Sequence, residues 1–500
     1  MNCSVLSAKR RWLTFAAIAV GTFIAVLDQS ALGIALPEIA DHFDASIPAV
    51  QWVTLAYMLT TGALLLPMGR LADMVGRRRL YILGFVIFTV SAVFTGSSTS
   101  LVALIGFKAV QGIGAAMGQA TAMAIVTSAF PAAERGKVIG TYMTVVGLGA
   151  IAGPVFGGVV VSALDWRYVF FGGVPFGAVA VVLSFVIQDS HPIEGRDGSA
   201  RRGFDWLGAG LAAGMVALFL LVMTNAHRVG WDSPVVSAAS VAVVAMFVSF
   251  VWWERRAKEP MLDLALFRTR VFSMGTSAMY LTFLAGTAVF FLMPFYLQKV
   301  LGFAPIEAGL IMVPTAIFFA LAGPLAGRLS DRYGWRAFVV AGPVLSLVSL
   351  LALSRIDEST ELWMVMTALV IQGLGMGLFY SPNASAILST VGLRRYGVAT
   401  AFLNMVRNTG TVTGIALSTT IVTASMSAQG FEPNLDTVTS AGGDAVKAAF
   451  TDGLRKAYLA MSAVAVGAMV LGIVQGRSAA KTEAQVQAEP EQERELATKT

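Results

Sequence analysis

Apolar residues in this chain fall into blocks of roughly twenty, divided by short stretches rich in Gly, Pro and charge. Fourteen blocks stand out, at 13–36, 50–69, 80–98, 101–129, 136–163, 167–187, 204–225, 234–253, 271–297, 305–326, 337–354, 361–388, 397–427 and 455–476. Each is long enough to cross a hydrocarbon core of ~30 Å as a helix. In lipid a single segment satisfies its own backbone hydrogen bonds only as a helix. The pattern predicts an all-α polytopic membrane protein with 14 transmembrane helices. The first block lies in "AKRRWLTFAAIAVGTFIAVLD", which starts like a signal peptide. Its apolar run is longer than a signal core and no small-x-small cleavage site follows, so it reads as a retained first span.

Composition agrees: 56% of the 500 residues are hydrophobic and 13% charged, where soluble domains carry about a quarter charged. The net charge of +6 raises nucleic acid as a partner, but the placement of the charge argues against it. Fourteen spans put both termini on one side. If that side is cytoplasmic, its loops and tails hold 26 of the 35 Lys and Arg, and the opposite loops hold seven. The first of those opposite loops, "PEIADHFDASIPA", has acids and no Lys or Arg. This is the positive-inside bias, and it places a multi-pass protein in the cell membrane with cytoplasmic termini and the lipid bilayer as surroundings. A monomer is expected. The tail 477–500 is polar and reads as disordered. Cys3 is the single cysteine, which excludes an internal disulfide.

The chain also repeats itself. "GRLADMVGRRRL" at 69–80 returns as "GRLSDRYGWR" at 327–336, "QGIG" at 111–114 as "QGLG" at 372–375, and "RGKVIGTY" at 135–142 aligns with "YGVATAFL" at 396–403. Ordered matches at a nearly constant offset mark two homologous halves, a recurring transporter plan. The offset exceeds what six helices need, and the excess fits spans 7 and 8. The layout is therefore 6 + 2 + 6: an N-terminal bundle at 1–187, a linker with two extra helices at 188–270, a C-terminal bundle at 271–476 and the tail.

These motifs resemble those of the major facilitator superfamily, whose signature loop has the form G-x-L-a-D-x-x-G-r-[RK] between helices 2 and 3. The fourteen spans, "LDQSALGIALPEI" in span 1, "GLGAIAGPVFGG" in span 5 and "YLQKVLGFAPIEAGLIMVP" at 296–314 are similar to the drug:proton antiporter branch. The resemblance covers residues 10 to 476. It implies the major facilitator fold and proton-coupled multidrug efflux by alternating access, and it leaves the substrate open.

In the signature loop, Gly69 and Gly76 permit a tight turn. Arg77 and Arg78 read either as topogenic anchors or as part of a latch. Asp73 adds nothing to the topogenic bias and can pair with Arg77 one helical turn away. The resemblance implies a cytoplasmic conformational latch, with Asp331 and Arg332 as counterparts in the second half.

Three charged residues fall well inside spans: Asp28, Lys108 and Arg407. Each costs on the order of 2.5–3.5 kcal/mol or more at mid-bilayer, so each should face a partner or a cavity. Counted from the predicted outer ends, Asp28 and Lys108 sit ~12 Å and ~10 Å deep, so they can pair. Such a pair is either a static structural bridge or the proton-coupling site. The family's pattern has arginine where this chain has Lys108 in "KAVQGIG". Arg407 either meets an anionic substrate group or pins Asn404 and its neighbours.

In span 5, Gly149, Gly153 and Gly157 recur every four residues and leave one flat face for helix contact. Pro154 weakens the ladder beside them, and Gly158 completes the string. A packing face explains the spacing alone; the full string resembles the motif of exporters. On span 4, Gln111 and Gln119 follow Lys108 on one stripe. With Tyr57, Tyr142, Phe290, Tyr380 and Asn383 they are candidates for the substrate cavity, as is Arg407. Asp28 is the single acid placed deep in a span, with Glu307 near an outer end, which favours neutral, amphipathic or monocationic substrates. No nucleotide-binding G-x-x-x-x-G-K-[ST] string and no metal-ligand spacing occur. The expectation is therefore no cofactor, no metal and no enzymatic constellation, with energy from the proton gradient. Two other readings stay open: export of one endogenous metabolite or antibiotic, and a transport-dead sensor or scaffold.

Overall fold

The computed structural model describes residues 8–130, 135–185, 205–229, 233–257, 264–391, 396–431 and 443–497. The polar stretch at 188–203 lies outside them. Fourteen helices among the described residues are long and apolar enough to cross a membrane. They are α1 (Ala8–His42), α2 (Ile47–Val75), α3 (Arg77–Gly96), α4 (Leu101–Ala129), α5 (Arg135–Ala163), α6 (Arg167–Ser184), α7 (Trp206–Val229) and α8 (Pro234–Glu254). There follow α9 (Arg270–Phe295), α10 (Pro305–Tyr333), α11 (Arg336–Leu353), α12 (Leu362–Ser389), α13 (Tyr396–Ala428) and α14 (Gly443–Ala497).

The repeat is visible in how they pack. α1 lies on α5 and α6, α2 and α3 on α4, and α3 on α6. The same five pairings recur eight helices later: α9 on α13 and α14, α10 and α11 on α12, and α11 on α14. The turns repeat as well. Gly76 ends α2 at φ 103° and Gly334 ends α10 at φ 85°, and each glycine N–H closes its helix onto the carbonyl four residues back. Both need a residue without a Cβ, which explains why glycine stands at the same place in the two loops. Gly69, by contrast, lies inside α2 with open space around it, and the turn does not use it.

Two boundaries correct the sequence reading. α1 runs to His42 rather than ending near residue 36, through Pro37 and an acidic, polar end. α14 continues as helix through Ala497, where a disordered tail was expected. The tail is rich in Ala, Glu and Gln, all strong helix formers, and it extends a helix already nucleated by the span.

α7 and α8 pack on each other, and Trp253 Nε1 donates to both carboxylate oxygens of Asp205 at 2.8 and 3.0 Å across their ends. α7 touches both α2 and α13, one helix from each half, so the extra pair covers the seam between the halves on that side. α8 turns Val241, Val244, Phe247, Val248 and Trp252 outward, a lipid-facing surface.

The halves meet along α5–α10, α2–α13 and α1–α9. At the end that carries Asp41 and Lys299, one continuous apolar core spans both halves, from Ile34, Leu36 and Ile39 to Leu292, Phe295 and Ile311. Gln298 Nε2 donates to the Ile34 carbonyl at 3.1 Å, the Ile306 N–H to Ser162 Oγ at 3.1 Å, and Lys299 forms an ion pair with Asp41. A π-helical turn, Tyr296–Val300, aims Gln298 and Lys299 at α1, the sort of insertion that recurs at functional places. Toward the other end the first six helices have a core with Phe15, Ile18, Tyr81, Phe85 and Phe130, and a further cluster joins Leu65 and Leu66 of α2 to Phe272, Ala399 and Phe402 of the second half. The molecule is thus sealed at the Asp41–Lys299 end. The ion pair there is partly exposed and contributes at most ~1 kcal/mol. Asp41→Asn is therefore expected to loosen the seal by no more than about fivefold, read as cross-linking yield between cysteines at 162 and 306.

Candidate functional site

Lys108 Nζ donates to Asp28 Oδ2 at 2.8 Å, from α4 to α1, with residue exposures of 1% and 3%. Simple depth counting from the observed helix ends would not have matched them. Asp28 lies 14 residues, ~21 Å, from the end of α1, and Lys108 seven residues, ~10 Å, from the start of α4. They meet although α1 runs about two turns further past Asp28 than α4 does past Lys108, its end packing on Trp166 and Arg167 at the start of α6. The ammonium also stands over the rings of Tyr57 on α2, 5.5 Å from its centroid, and Phe170 on α6, 4.8 Å away. Both faces attract a cation, so the lysine has one carboxylate and two aromatic walls. Phe170 escaped the sequence reading because "RYVFFGG" carries no sign that separates it from lipid-facing aromatics.

A second group gathers between the halves. Tyr142 on α5 and Thr22 on α1 share a hydrogen bond of 3.3 Å. Arg407 on α13 lies within electrostatic reach of Tyr142 and Tyr57, and Tyr142 interacts with Tyr380 on α12. Tyr380 packs edge-on against Phe283, 5.8 Å between centroids. Arg407 and Tyr380 of the second half thus lie on the side of the first half that carries Tyr142, while Tyr57 is buried against Ile24 and Phe88. Gln119 is half-buried on α4.

Other cavity candidates lie elsewhere. Asn383 is fully buried within the second six helices: its Nδ2 donates to the Gly275 carbonyl and its Oδ1 accepts from Gln475 Nε2, both at 3.0 Å. It ties α12 to α9 and α14 and lines no space between the halves. Phe290 packs against the apolar core at the sealed end. Gln111 is fully buried as well, because the neighbouring Gly112 brings α4 against the Tyr57 backbone and closes the stripe. Glu307 is exposed and accepts from the Ala304 N–H at 2.9 Å, capping its own helix, so it does not serve as a second deep acid.

The glycine string of α5 has two faces. A Cβ at Gly149 would meet the Phe23 carbonyl and Val26 at 3.0 Å, at Gly153 the Ser30 side chain and the Ala31 N–H, and at Gly157 the Ala31 carbonyl at 2.7 Å. That face packs on α1. A Cβ at Gly158 would meet Ile306 Cα and the Pro305 carbonyl at 2.8 Å, and the Pro154 carbonyl touches Gly309. That face meets α10 across the halves.

In the signature loop, Arg78 Nη2 donates to the Phe185 carbonyl at 2.9 Å. It satisfies an end of α6 within the same half, where the sequence reading put a latch. Arg77 has partners as well, and Arg332 stacks over the neighbouring Tyr333 ring. The side chains of Asp73 and Asp331 lie outside the described residues.

Fourteen spans in two packed halves of repeated topology define a polytopic membrane protein built on a transporter plan. The sequence profile of the Major Facilitator Superfamily matches residues 18–415, and the chain belongs to that family. It is 34% identical to the riboflavin transporter RibZ of Clostridioides difficile, over 82% of this chain and 87% of that protein. It is 30% identical to the multidrug resistance protein Stp of Mycobacterium tuberculosis, over 85% and 78% respectively. The tetracenomycin C resistance and export protein of Streptomyces glaucescens is 32% identical, over 78% and 72%. Among solved structures, a bacterial homologue of the human lysosomal transporter Spinster, inward-facing and unoccupied, superposes with a TM-score of 0.67 at 18% identity, covering 94% of this chain and 98% of that one. The occupied form gives 0.68 at 19% identity.

Proposed function

We propose that this chain is a proton-coupled exporter of amphipathic small molecules, with Asp28 as the proton carrier. The observation that carries the reading is the Asp28–Lys108 pair, 2.8 Å apart and almost wholly buried. Deep ionisable residues in a membrane are expensive and point to function. Removing one partner of a buried pair leaves an uncompensated charge, so protonation of Asp28 and rearrangement around Lys108 must be linked. The bias of Lys and Arg puts both termini and the Gly76 and Gly334 turns in the cytoplasm. On that orientation the sealed end is outside. Opening the outer end exposes Asp28 to outside protons; closing it again carries the proton in while substrate leaves in the opposite half of the cycle. The partly exposed Tyr142, Tyr380 and Arg407 supply aromatic faces and one fixed cation for the substrate. The cytoplasmic latch on Asp73 and Arg77, mirrored by Asp331 and Arg332, belongs to the outward-facing state on this reading.

The test uses everted vesicles energised acid-inside, with a pH-sensitive dye in the lumen. Lipophilic cations, neutral drugs and riboflavin are added in turn. Alkalinisation by several unrelated compounds supports broad efflux. A response to one compound alone favours a dedicated exporter, a reading that the similarity to a riboflavin transporter and an antibiotic export protein makes specific. Substrate accumulation with no proton movement would remove the coupling claim.

A further inference from the structure

Buried polar atoms are nearly always hydrogen-bonded, and exceptions call for a reason. Gln111 is fully buried, and neither its Nε2 nor its Oε1 has a partner. It stands three residues after Lys108, one turn along the same face of α4. Side chains on a helix lean toward its N-terminus, over the residues three and four positions earlier. An i, i+3 spacing with that lean puts the Gln111 amide on the same side of α4 as the turn that holds Lys108.

Lys108 needs a second oxygen. Its carboxylate partner is Asp28, and its remaining neighbours are the ring faces of Tyr57 and Phe170. While Asp28 is ionised the ammonium is satisfied. When Asp28 takes up a proton the counter-charge is gone, and the buried cation keeps only a neutral carboxyl oxygen, a weaker acceptor, beside the two π faces.

We infer that Gln111 is the alternate partner of Lys108, its Oε1 accepting the ammonium whenever Asp28 is protonated. The step balances simply. A proton binds a carboxylate oxygen of Asp28, Lys108 keeps its charge and moves its hydrogen bond from Asp28 Oδ2 to Gln111 Oε1, and release reverses both moves. Gln111 is then a positioning residue that makes the protonated state of Asp28 affordable and leaves the lysine charged throughout. This rests on the proton-carrier reading of Asp28.

The helices packed around the pair bring further charged and titratable groups, several of them with partners of their own. From α2 comes Tyr57 itself. From α5 comes Tyr142, bonded to Thr22. α3 brings Tyr81, whose hydroxyl donates to the Ala17 carbonyl. From α6, Arg167 lies one turn outward of Phe170 and pairs with Asp165. α9 brings Tyr280, bonded to Thr413, and α13 brings Arg407, in reach of both Tyr57 and Tyr142.

The second half supplies a control. Gln372, the repeat counterpart, is also fully buried with both amide atoms unpartnered, yet Leu369 stands where the lysine would be. It faces Gly286 of α9 and has no cation to receive.

The experiment measures the pH midpoint of substrate-induced proton release in reconstituted vesicles. Gln111→Leu should move it to more acid pH by about one unit, a tenfold change in proton activity, because the protonated state loses its acceptor. Gln111→Glu should move it the opposite way, because a fixed carboxylate holds Lys108 and frees Asp28 to bind protons. Gln372→Leu should leave it in place. A packing role for Gln111 would lower rate or protein amount without opposite shifts. If Gln111→Glu leaves the midpoint unmoved, or Gln372→Leu shifts it as far as Gln111→Leu does, the assignment is overturned. Asp28→Asn separates the layers: proton release that survives in that variant removes the carrier reading itself, whereas its loss alongside unmoved Gln111 variants removes this inference alone.

Discussion

Asp28→Asn is expected to reduce gradient-driven transport to background. Asparagine keeps the size and hydrogen-bonding reach of the acid but cannot carry a proton. It also leaves Lys108, 1% exposed, as a buried cation without its counter-ion, and breaking such a pair costs about 3–5 kcal/mol. A loss of activity could therefore reflect a weakened fold. The double variant Asp28→Asn/Lys108→Met separates the two. It removes both charges and fills the site with an apolar side chain of similar length, and replacing a buried pair in this way is often neutral or stabilising. Thermal unfolding in detergent should rank the double variant above Asp28→Asn, while proton release stays absent in both. Substrate counterflow without a gradient should persist in the double variant, since the halves can still rock. Wild-type proton release in either variant would end the carrier assignment. Equal loss of stability in single and double variants would show instead that Lys108 is held by the rings of Tyr57 and Phe170 rather than by the carboxylate.

This pair was legible in the sequence because charge inside a span is rare and costly, so two opposite charges demand an explanation before any coordinates exist. The spans and the repeat were legible for a related reason: lipid imposes one length and one secondary structure, and a duplicated chain keeps its turns. What the sequence hid depends on which way a side chain points. Asn383 looked like a cavity residue because it is polar and sits mid-span, yet it faces Gly275 and Gln475 inside its own half. Gln111 shares a stripe with Lys108, yet Gly112 draws α2 so close that the stripe is closed. Phe170 matters through the cation above it, and nothing in its local sequence carries that information. Asp41 and Lys299 meet only because α1 outruns its apolar block and a π turn ends α9.

The α5 string predicts two different failures from neighbouring glycines. Gly158 faces α10, and a Cβ there would come within 2.8 Å of Ile306 Cα and the Pro305 carbonyl. Backbone atoms cannot swing aside, so the halves must part by some tenths of an ångström or more at the sealed end. Gly158→Val is therefore expected to lower transport at least about fivefold, since overpacking of this kind costs ~1–3 kcal/mol. Its folded amount should change little, because the six helices of each half remain packed. Gly157→Val differs. Its Cβ would press on the Ala31 carbonyl and Cα of α1, a contact within one half that every conformation needs. That variant should lose stability in the membrane as well as transport. Gly69→Ala, with open space around it, serves as the neutral comparison. Transport rate per folded molecule, set against thermal stability, separates the three. Cross-linking between cysteines at 162 and 306 should fall in Gly158→Val alone among well-folded variants. If both valine variants lose stability equally while cross-linking holds, the Gly158 face is ordinary packing and the seal closes by other contacts.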